Sequence, residues 1–245
     1  MIGFQPRQLD ELWAAAGVAF RYFDVLATFL WAASGAVLAA RRGYDLTGIF
    51  AIALVSSCGG GLLRDSLFLQ AGPPALVRTP TYVLVTLLAT LLTWRGGERW
   101  RGRLPGFVVG LTAFADSIGL GAFAVVGMRL ALAASISLAG AMLVGVVNAV
   151  GGGVLRSLLL LRTPQVFRPG ELTALAALGG TLVYATLSAG LHLDENAAGL
   201  IAIAVVAATN WASRRYRFET RAAWSPQLRR RRDSHPTRVS MRPRL

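Results

Sequence analysis

Residues 56–65 read Ser-Ser-Cys-Gly-Gly-Gly-Leu-Leu-Arg-Asp and lie inside an apolar run that begins near Leu46. Each glycine lowers helix stability by roughly 1 kcal/mol relative to alanine, so an ordinary membrane-spanning helix gains nothing from three in a row. Glycine does expose the backbone, and irregular backbone at membrane depth is tolerated only against protein or beside a water-filled path. Arg64 and Asp65 follow the triplet, and ionisable groups inside a membrane are candidate functional sites. The stretch therefore predicts an interrupted helix beside a polar path.

The same pattern occurs a second time in residues 148–157, which read Asn-Ala-Val-Gly-Gly-Gly-Val-Leu-Arg-Ser. The second glycine triplet begins 92 residues after the first, and this offset also pairs Asp24 with Asp116 and Arg64 with Arg156. Each unit of the repeat contains three hydrophobic spans. Because three is odd, the second unit enters the membrane from the opposite face, which predicts an inverted-topology repeat. Interrupted helices at matching positions of such a repeat indicate a substrate or ion site near the bilayer midplane.

Composition indicates an integral membrane protein. Of the 245 residues, 54% are hydrophobic and 15% are charged, whereas charged residues make up about 25% of a soluble domain. The net charge of +13 comes from 25 arginines without any lysine, and 11 of these arginines follow Ser213. Such a cluster is typical of a cytoplasmic end rather than of an arm that binds nucleic acid. A single cysteine, Cys58, excludes an intramolecular disulfide and a cysteine-cluster metal site.

Seven hydrophobic runs approach the length of roughly 20 residues that a membrane-spanning helix needs. They cover about residues 24–40, 46–70, 80–94, 104–128, 130–161, 171–191 and 196–211. The predicted organisation is a lead-in (1–22), two three-helix repeats (23–103 and 104–193), a seventh helix (194–212) and a basic tail (213–245). With this layout, 20 of the 25 arginines lie on the side of the C-terminus, which predicts a cytoplasmic C-terminus and an N-terminus outside.

Paired Gly-Gly-Gly-x-x-Arg motifs on the second and fifth of seven spans resemble the TRIC (trimeric intracellular cation) channels. The resemblance covers about residues 24–211 and is to the prokaryotic branch, whose domains are also catalogued as putative glycine transporters. It implies a homotrimer in the bacterial inner membrane with one path per subunit for monovalent cations, chiefly potassium. No cofactor is implied beyond permeant potassium or sodium ions. The motif arginines correspond to Arg64 and Arg156, but Ser157 replaces the acidic residue that follows the first arginine, which argues against two symmetric Arg–Asp pairs.

The glycine triplets have two interpretations. As helix breaks, they would free carbonyl groups to replace part of a cation's hydration shell. As small residues, they would let spanning helices approach closely. The matched positions of the triplets favour the break. The predicted pore or gate residues are the two triplets, the motif arginines and the nearest polar side chains, namely Gly59, Gly60, Gly61, Gly151, Gly152, Gly153, Arg64, Arg156, Ser57 and Asn148.

Arginines beside a cation path need an explanation, and three are open. They anchor helices at the interface, they pair with an acid and lock the broken helices, or they act as gating charges. Pairing is favoured, and the predicted helix-locking or gating charges are Asp24, Asp65 and Asp116. Asp24 and Asp116 are the better candidate partners of the arginines, because adjacent residues such as Arg64 and Asp65 do not easily pair on an α-helix. Trp31 is expected to be an ordinary interfacial anchor.

The basic tail, centred on Arg229, Arg230, Arg231 and Arg232, is predicted to contact anionic lipid at about 1 kcal/mol per basic residue. The leading function is a monovalent cation channel. A secondary transporter of a small solute such as glycine is the alternative, since inverted repeats also build transporters. A structural or lipid-handling membrane protein is a third class. An enzyme is not expected, because the sequence contains no nucleophile–base set, metal cluster or phosphate-binding loop.

Overall fold

The computed structural model describes residues 9–97, 106–167 and 172–216, and this part of the chain is helical without strands. Two α-helices continue into π-helical turns, Arg64–Leu69 after the third helix and Thr186–Gly190 after the eighth. A 3₁₀ turn covers Gln165–Phe167. The α-helices are α1 (Leu9–Ala16), α2 (Val18–Ala40), α3 (Leu46–Leu63), α4 (Ala75–Arg78), α5 (Pro80–Gly97), α6 (Gly106–Ala133), α7 (Leu138–Leu159), α8 (Thr173–Ala185) and α9 (Glu195–Tyr216).

Within the described residues, six helical stretches are long and apolar enough to cross a membrane. They are Val18–Ala40, Leu46–Leu69, Gly110–Ala133, Leu138–Leu159, Thr173–Gly190 and Glu195–Ser213. The prediction of an all-helical membrane protein is therefore confirmed. The third predicted span forms α5, which has 18 residues and an exposed apolar face of Leu84, Leu88 and Leu92, but it is not among the six. The count of seven spans stays a prediction.

Two predicted boundaries are wrong. The fourth span does not end at residue 128, because α6 continues through Arg129 to Ala133. Arg129 is accommodated there by an ion pair with Glu195 (Nη1–Oε1 2.7 Å) and by donation to the carbonyl of Ala16. The lead-in is also shorter than predicted, since α2 begins at Val18 after a turn at Gly17, whose φ of +97° favours glycine.

The expected interruption of the helices at the glycine triplets is wrong. Residues 59–61 lie within α3 and residues 151–153 lie within α7, and both helices run through them. The reason is the contact between the two helices. A β-carbon on Gly60 would overlap the carbonyl oxygen of Asn148, and one on Gly152 would overlap the carbonyl oxygen of Ser56. The triplets therefore serve close backbone contact, which was the other interpretation.

The contacts between α3 and α7 are reciprocal. Gly60 meets residue 148 and Gly152 meets residue 56, and the two contacts are related by the offset of 92. A second pair follows the same rule, since β-carbons on Gly35 and Gly127 would crowd the side chains at positions 56 and 148, respectively. As residue numbers increase along α3, the residues that they contact on α7 decrease in number, so the two helices are antiparallel. Their C-terminal ends therefore lie at opposite ends of the molecule.

Candidate functional site

Two cavities lie at the two ends of the crossing between α3 and α7. The first, called here the α3-end cavity, has about 280 Å³ of empty space, including its open mouth. Its polar lining includes Asp24, Ser57, Cys58, Arg64, Asp65 and Tyr82. The second, the α7-end cavity, has about 380 Å³ counted in the same way. Its lining includes Trp31, Asp116, Gly153, Arg156, Thr173 and Asn210.

The α3-end cavity contains a buried charge network around Arg64, which is 1% exposed. Its Nε atom donates to Oδ1 of Asp65 at 2.7 Å, and its Nη1 atom lies 3.8 Å from Oδ1 of Asp24. The hydroxyl of Tyr82 donates to the other oxygen of Asp24 at 2.6 Å, and the backbone N–H of Ala75 donates to Asp65 at 3.0 Å. One guanidinium and two carboxyl groups therefore share this site.

This network confirms one prediction and corrects another. Asp24 does pair with Arg64, as expected from the repeat. Asp65 was expected to be a poorer partner of Arg64 than Asp24, but it makes the shorter of the two contacts. The geometry of an α-helix, on which that expectation depended, ends at Leu63, and Arg64 begins the π-helical turn.

Two further features complete the α3-end cavity. The hydroxyl of Ser57 donates to the carbonyl of Ala53 and lies 3.3 Å from the hydroxyl of Thr86. The guanidinium of Arg64 lies 5.6 Å from the ring of Trp13, a buried residue of α1. Helix α1 is held nearby by an ion pair between Asp10 and Arg78. The predicted lead-in thus covers this end of the molecule.

The α7-end cavity is built differently around Arg156, which is 6% exposed. Its Nη1 atom lies 3.3 Å from the hydroxyl of Ser34, and its guanidinium lies 5.8 Å from the ring of Trp31. Asp116 lines the same cavity, but no carboxylate of the described residues lies within 4.0 Å of Arg156. The expected pairing of Arg156 with Asp116 is therefore wrong. The hydroxyl of Ser157, which replaces the acid, donates back to the carbonyl of Gly153 at 2.7 Å.

The remaining predicted residues divide between the cavities and the helix contact. Gly61 lines the α3-end cavity and Gly153 lines the α7-end cavity, whereas the other four glycines of the triplets lie at the contact of α3 with α7. The amide of Asn148 donates to the carbonyl of Phe123 at 2.7 Å and thereby joins α7 to α6. The predicted lipid-contacting residues Arg229–Arg232 lie outside the described residues.

Sequence reasoning missed the aromatic pair that lies between the cavities. Trp31 lines the α7-end cavity and Phe123 lines the α3-end cavity, and their rings meet edge to face with centroids 5.6 Å apart. Trp31 is 5% exposed and donates from Nε1 to the carbonyl of Asp116 at 3.2 Å, so its expected role as an interfacial anchor is wrong. The offset of 92 pairs Trp31 with Phe123, and that signal was present in the sequence.

Comparison with known proteins gives related sequences. A family model described as glycine transporter matches two segments, residues 21–96 and 113–189. A UPF0126 membrane protein of Deinococcus radiodurans is 37% identical over 160 residues, which are 65% of this chain and 72% of the relative. The UPF0126 inner membrane protein YadS of Escherichia coli K12 is 32% identical over 165 residues, which are 67% of this chain and 77% of the relative.

Comparison with solved structures gives proteins of similar fold. The TRIC trimeric intracellular cation channel orthologue from Rhodobacter sphaeroides has a TM-score of 0.72 at 26% identity, covering 80% of this chain and 97% of that structure. A structure described as the basis for conductance through TRIC cation channels has a TM-score of 0.70 at 28% identity, covering 85% of this chain and 98% of that one. The fold described above is therefore shared with solved cation channels.

Proposed function

Because the chain belongs to the TRIC/UPF0126 family of membrane proteins, we propose that it is a cation channel whose path runs through each subunit between the α3-end and α7-end cavities. The observation that carries this proposal is the arrangement of the cavities. They lie at opposite ends of the antiparallel pair α3 and α7, and their linings touch through Trp31 and Phe123. In this proposal, the path between the cavities opens where the rings of Trp31 and Phe123 meet.

The charges of the α3-end cavity favour cations over anions. Arg64 lies beside two acidic side chains, Asp24 and Asp65, so the buried arginine does not by itself exclude a cation from this cavity. Rings or clusters of carboxylates are a common source of cation selectivity in pores. The arginine therefore acts as a structural partner of two acids, which agrees with the pairing favoured from sequence.

In this proposal, the contact between the rings of Trp31 and Phe123 is the gate of the channel. The rings pack edge to face inside the protein, and the described structure leaves the cavities separate on either side of them. A cation passes when the rings part. Hydrophobic constrictions of this kind gate by excluding water.

The finer features of the proposal have separate support. An inverted repeat is supported by the reciprocal glycine contacts and by the two segments that match one family model. A homotrimer is supported by the Rhodobacter sphaeroides structure, which is described as trimeric. Location in a bacterial inner membrane is supported by the label of the Escherichia coli relative. Potassium as the chief ion and an external N-terminus remain parts of the proposal, the latter supported by the arginine distribution.

Recording from the purified protein in a planar bilayer tests the channel. Gradients of potassium chloride and sodium chloride on the two sides separate cation from anion current by the reversal potential. We expect unitary currents that reverse near the potassium potential and an anion permeability that is small. Currents that reverse at the chloride potential would contradict the proposal, and so would a silent bilayer with correctly folded protein.

A carrier of a small solute is the second candidate, favoured by the description of the matching family model as a glycine transporter and by the polar α7-end cavity. A carrier saturates and exchanges its solute across the membrane, whereas a channel does not. Counterflow of labelled glycine in proteoliposomes, measured beside potassium flux in the same vesicles, separates the two. Counterflow without potassium flux would favour the carrier.

A further inference from the structure

Helix α1 precedes both segments that match the family model, the first of which begins at residue 21. Its eight residues are fewer than the roughly 12–15 that a helix needs to be even marginally stable alone in water. The helix therefore depends on docking. Its apolar face consists of Leu12, Trp13 and Ala16, which are all buried, and it packs against α6, whereas Asp10 and Glu11 are exposed. When this face leaves the protein, α1 should lose its helical structure as well.

The docked helix covers the charge network of the α3-end cavity. The ring of Trp13 lies 5.6 Å from the guanidinium carbon of Arg64, and the carboxyl groups of Asp24 and Asp65 are buried beside that guanidinium. An aromatic ring over a guanidinium attracts the cation and takes the place of water on the face that it covers. Undocking of α1 would therefore expose one side of the network to water.

An exposed ion pair holds the N-terminal end of α1. The carboxylate of Asp10 pairs with the guanidinium of Arg78, and the two side chains are 76% and 26% exposed. Exposed pairs of this kind contribute little and are weakened by salt, so the contact is easily broken. Arg78 belongs to α4, and the first residue of α4, Ala75, donates its backbone N–H to Asp65. The ion pair thus connects α1 to a wall of the same cavity.

The C-terminal end of α1 is anchored and is followed by a flexible joint. Arg129 donates to the carbonyl of Ala16 at 3.3 Å and is itself paired with Glu195. The next residue, Gly17, has a φ of +97° and separates α1 from α2. Glycine adopts this backbone conformation without the penalty that a side chain brings, and hinges are formed by a few such residues at the ends of elements.

We propose that α1 is a lid on the charge network of the α3-end cavity and turns about Gly17. The ion pair of Asp10 with Arg78 and the contact of Trp13 with the network hold it shut. The closed lid keeps water from the network, and the open lid admits water and cations to the two carboxyl groups. Control of ion flow by the lid rests on the proposed channel function, whereas the opening of the lid does not.

Hydrogen–deuterium exchange of the full chain in lipid nanodiscs tests the lid without any need for conduction. Residues 9–16 report the lid, residues 64–69 report the network beneath it, and residues 154–159 report the opposite end of the molecule. In Trp13→Ala, exchange should become faster by roughly tenfold or more in the first two segments and stay unchanged in the third. Faster exchange in residues 9–16 alone, or an equal change in all three segments, would overturn the lid.

Reversal of charge tests the ion pair. Asp10→Arg places two cations side by side, so exchange in residues 9–16 and 64–69 should become faster by roughly twofold to fivefold. Glu11→Arg, the same change at the exposed neighbour, is the matched control and should have no such effect. Adding Arg78→Asp to Asp10→Arg restores the pair in reverse order and should restore slow exchange. Failure of this rescue would overturn the role of the ion pair.

Planar-bilayer recording of Trp13→Ala separates the lid from the channel. If the lid controls the proposed path, the open probability should rise together with the exchange rate. An unchanged open probability in a variant with faster exchange would overturn control of ion flow by the lid. Silent bilayers with both the original chain and the variant would contradict the channel, whereas faster exchange in the same variant would still support the lid.

Discussion

Gly60 and Asn148 are in direct backbone contact across the crossing of α3 and α7. A β-carbon on Gly60 would overlap the carbonyl oxygen of Asn148, so no side chain fits at this position. The matching contact of Gly152 with Ser56 has the same geometry. The two contacts set the distance between α3 and α7, and the two cavities lie at the ends of the helices that they hold together.

Gly60→Ala should destabilise the protein because the added methyl group has to displace backbone. Overpacking of this kind costs about 1–3 kcal/mol and more where the neighbour cannot shift. Unfolding of purified protein in mixed detergent micelles, titrated with sodium dodecyl sulfate, measures the change. Gly179→Ala is the control, because nothing lies within 4 Å of its β-carbon position and alanine favours the helix by up to about 1 kcal/mol. Equal stability of the two variants would contradict the contact.

Arg64→Gln and Arg156→Gln should differ in their effects on the free energy of unfolding. The first leaves Asp24 and Asp65 buried without their cation, a change that costs about 3–5 kcal/mol. The second removes a charge that has no carboxylate partner among the described residues, so its cost should be much smaller. The same detergent titration compares them. A larger loss for Arg156→Gln would show that the charge networks are misassigned.

Tyr82→Phe should destabilise the α3-end network by removing the hydroxyl that donates to Asp24 at 2.6 Å. Hydrogen bonds to charged groups contribute about 1.5–3 kcal/mol, so a loss of that size is expected. Tyr44→Phe is the matched control, since Tyr44 is 38% exposed between α2 and α3. The prediction fails if both variants unfold at the same detergent fraction.

Trp31→Ala should raise the unitary conductance or the open probability, because it removes half of the aromatic layer between the cavities. Planar-bilayer recording measures both quantities. Trp211→Ala, in the exposed part of α9, removes the same side chain away from the cavities and should leave both unchanged. A conductance that Trp31→Ala leaves unaltered would exclude the Trp31–Phe123 pair as the gate.

The sequence is sufficient to predict most of the helices and one of the two expected arginine–aspartate pairs. Hydrophobic length identifies the spans. The repeat singles out Asp24 and Asp116 as candidate partners of the motif arginines, and Asp24 does pair with Arg64. The role of the glycines could not be decided in this way, because a helix break and a close contact have the same sequence pattern. The choice depends on what lies opposite each glycine, and for Gly60 that is a backbone carbonyl 88 residues away.

Local geometry explains the other errors. The contact between Arg64 and Asp65 depends on a π-helical turn, which hydrophobic periodicity does not reveal. Trp31 was missed because a buried tryptophan and an interfacial tryptophan have the same sequence signature near the end of a span. Only its match with Phe123 in the repeat distinguishes the two cases.

The single cysteine of the chain has a practical consequence. Cys58 lies in the wall of the α3-end cavity, 6% exposed, at an end of the molecule where α1 places Trp13 against Arg64. The sequence therefore already places one thiol reporter in the α3-end cavity, and no cysteine has to be removed or introduced. A membrane-impermeant thiol reagent should modify Cys58 faster when that cavity is open. The rate of modification, measured with and without a permeant cation, therefore reports the opening of the cavity. Reagent added to one face of sealed vesicles also identifies the side of the membrane on which the cavity opens.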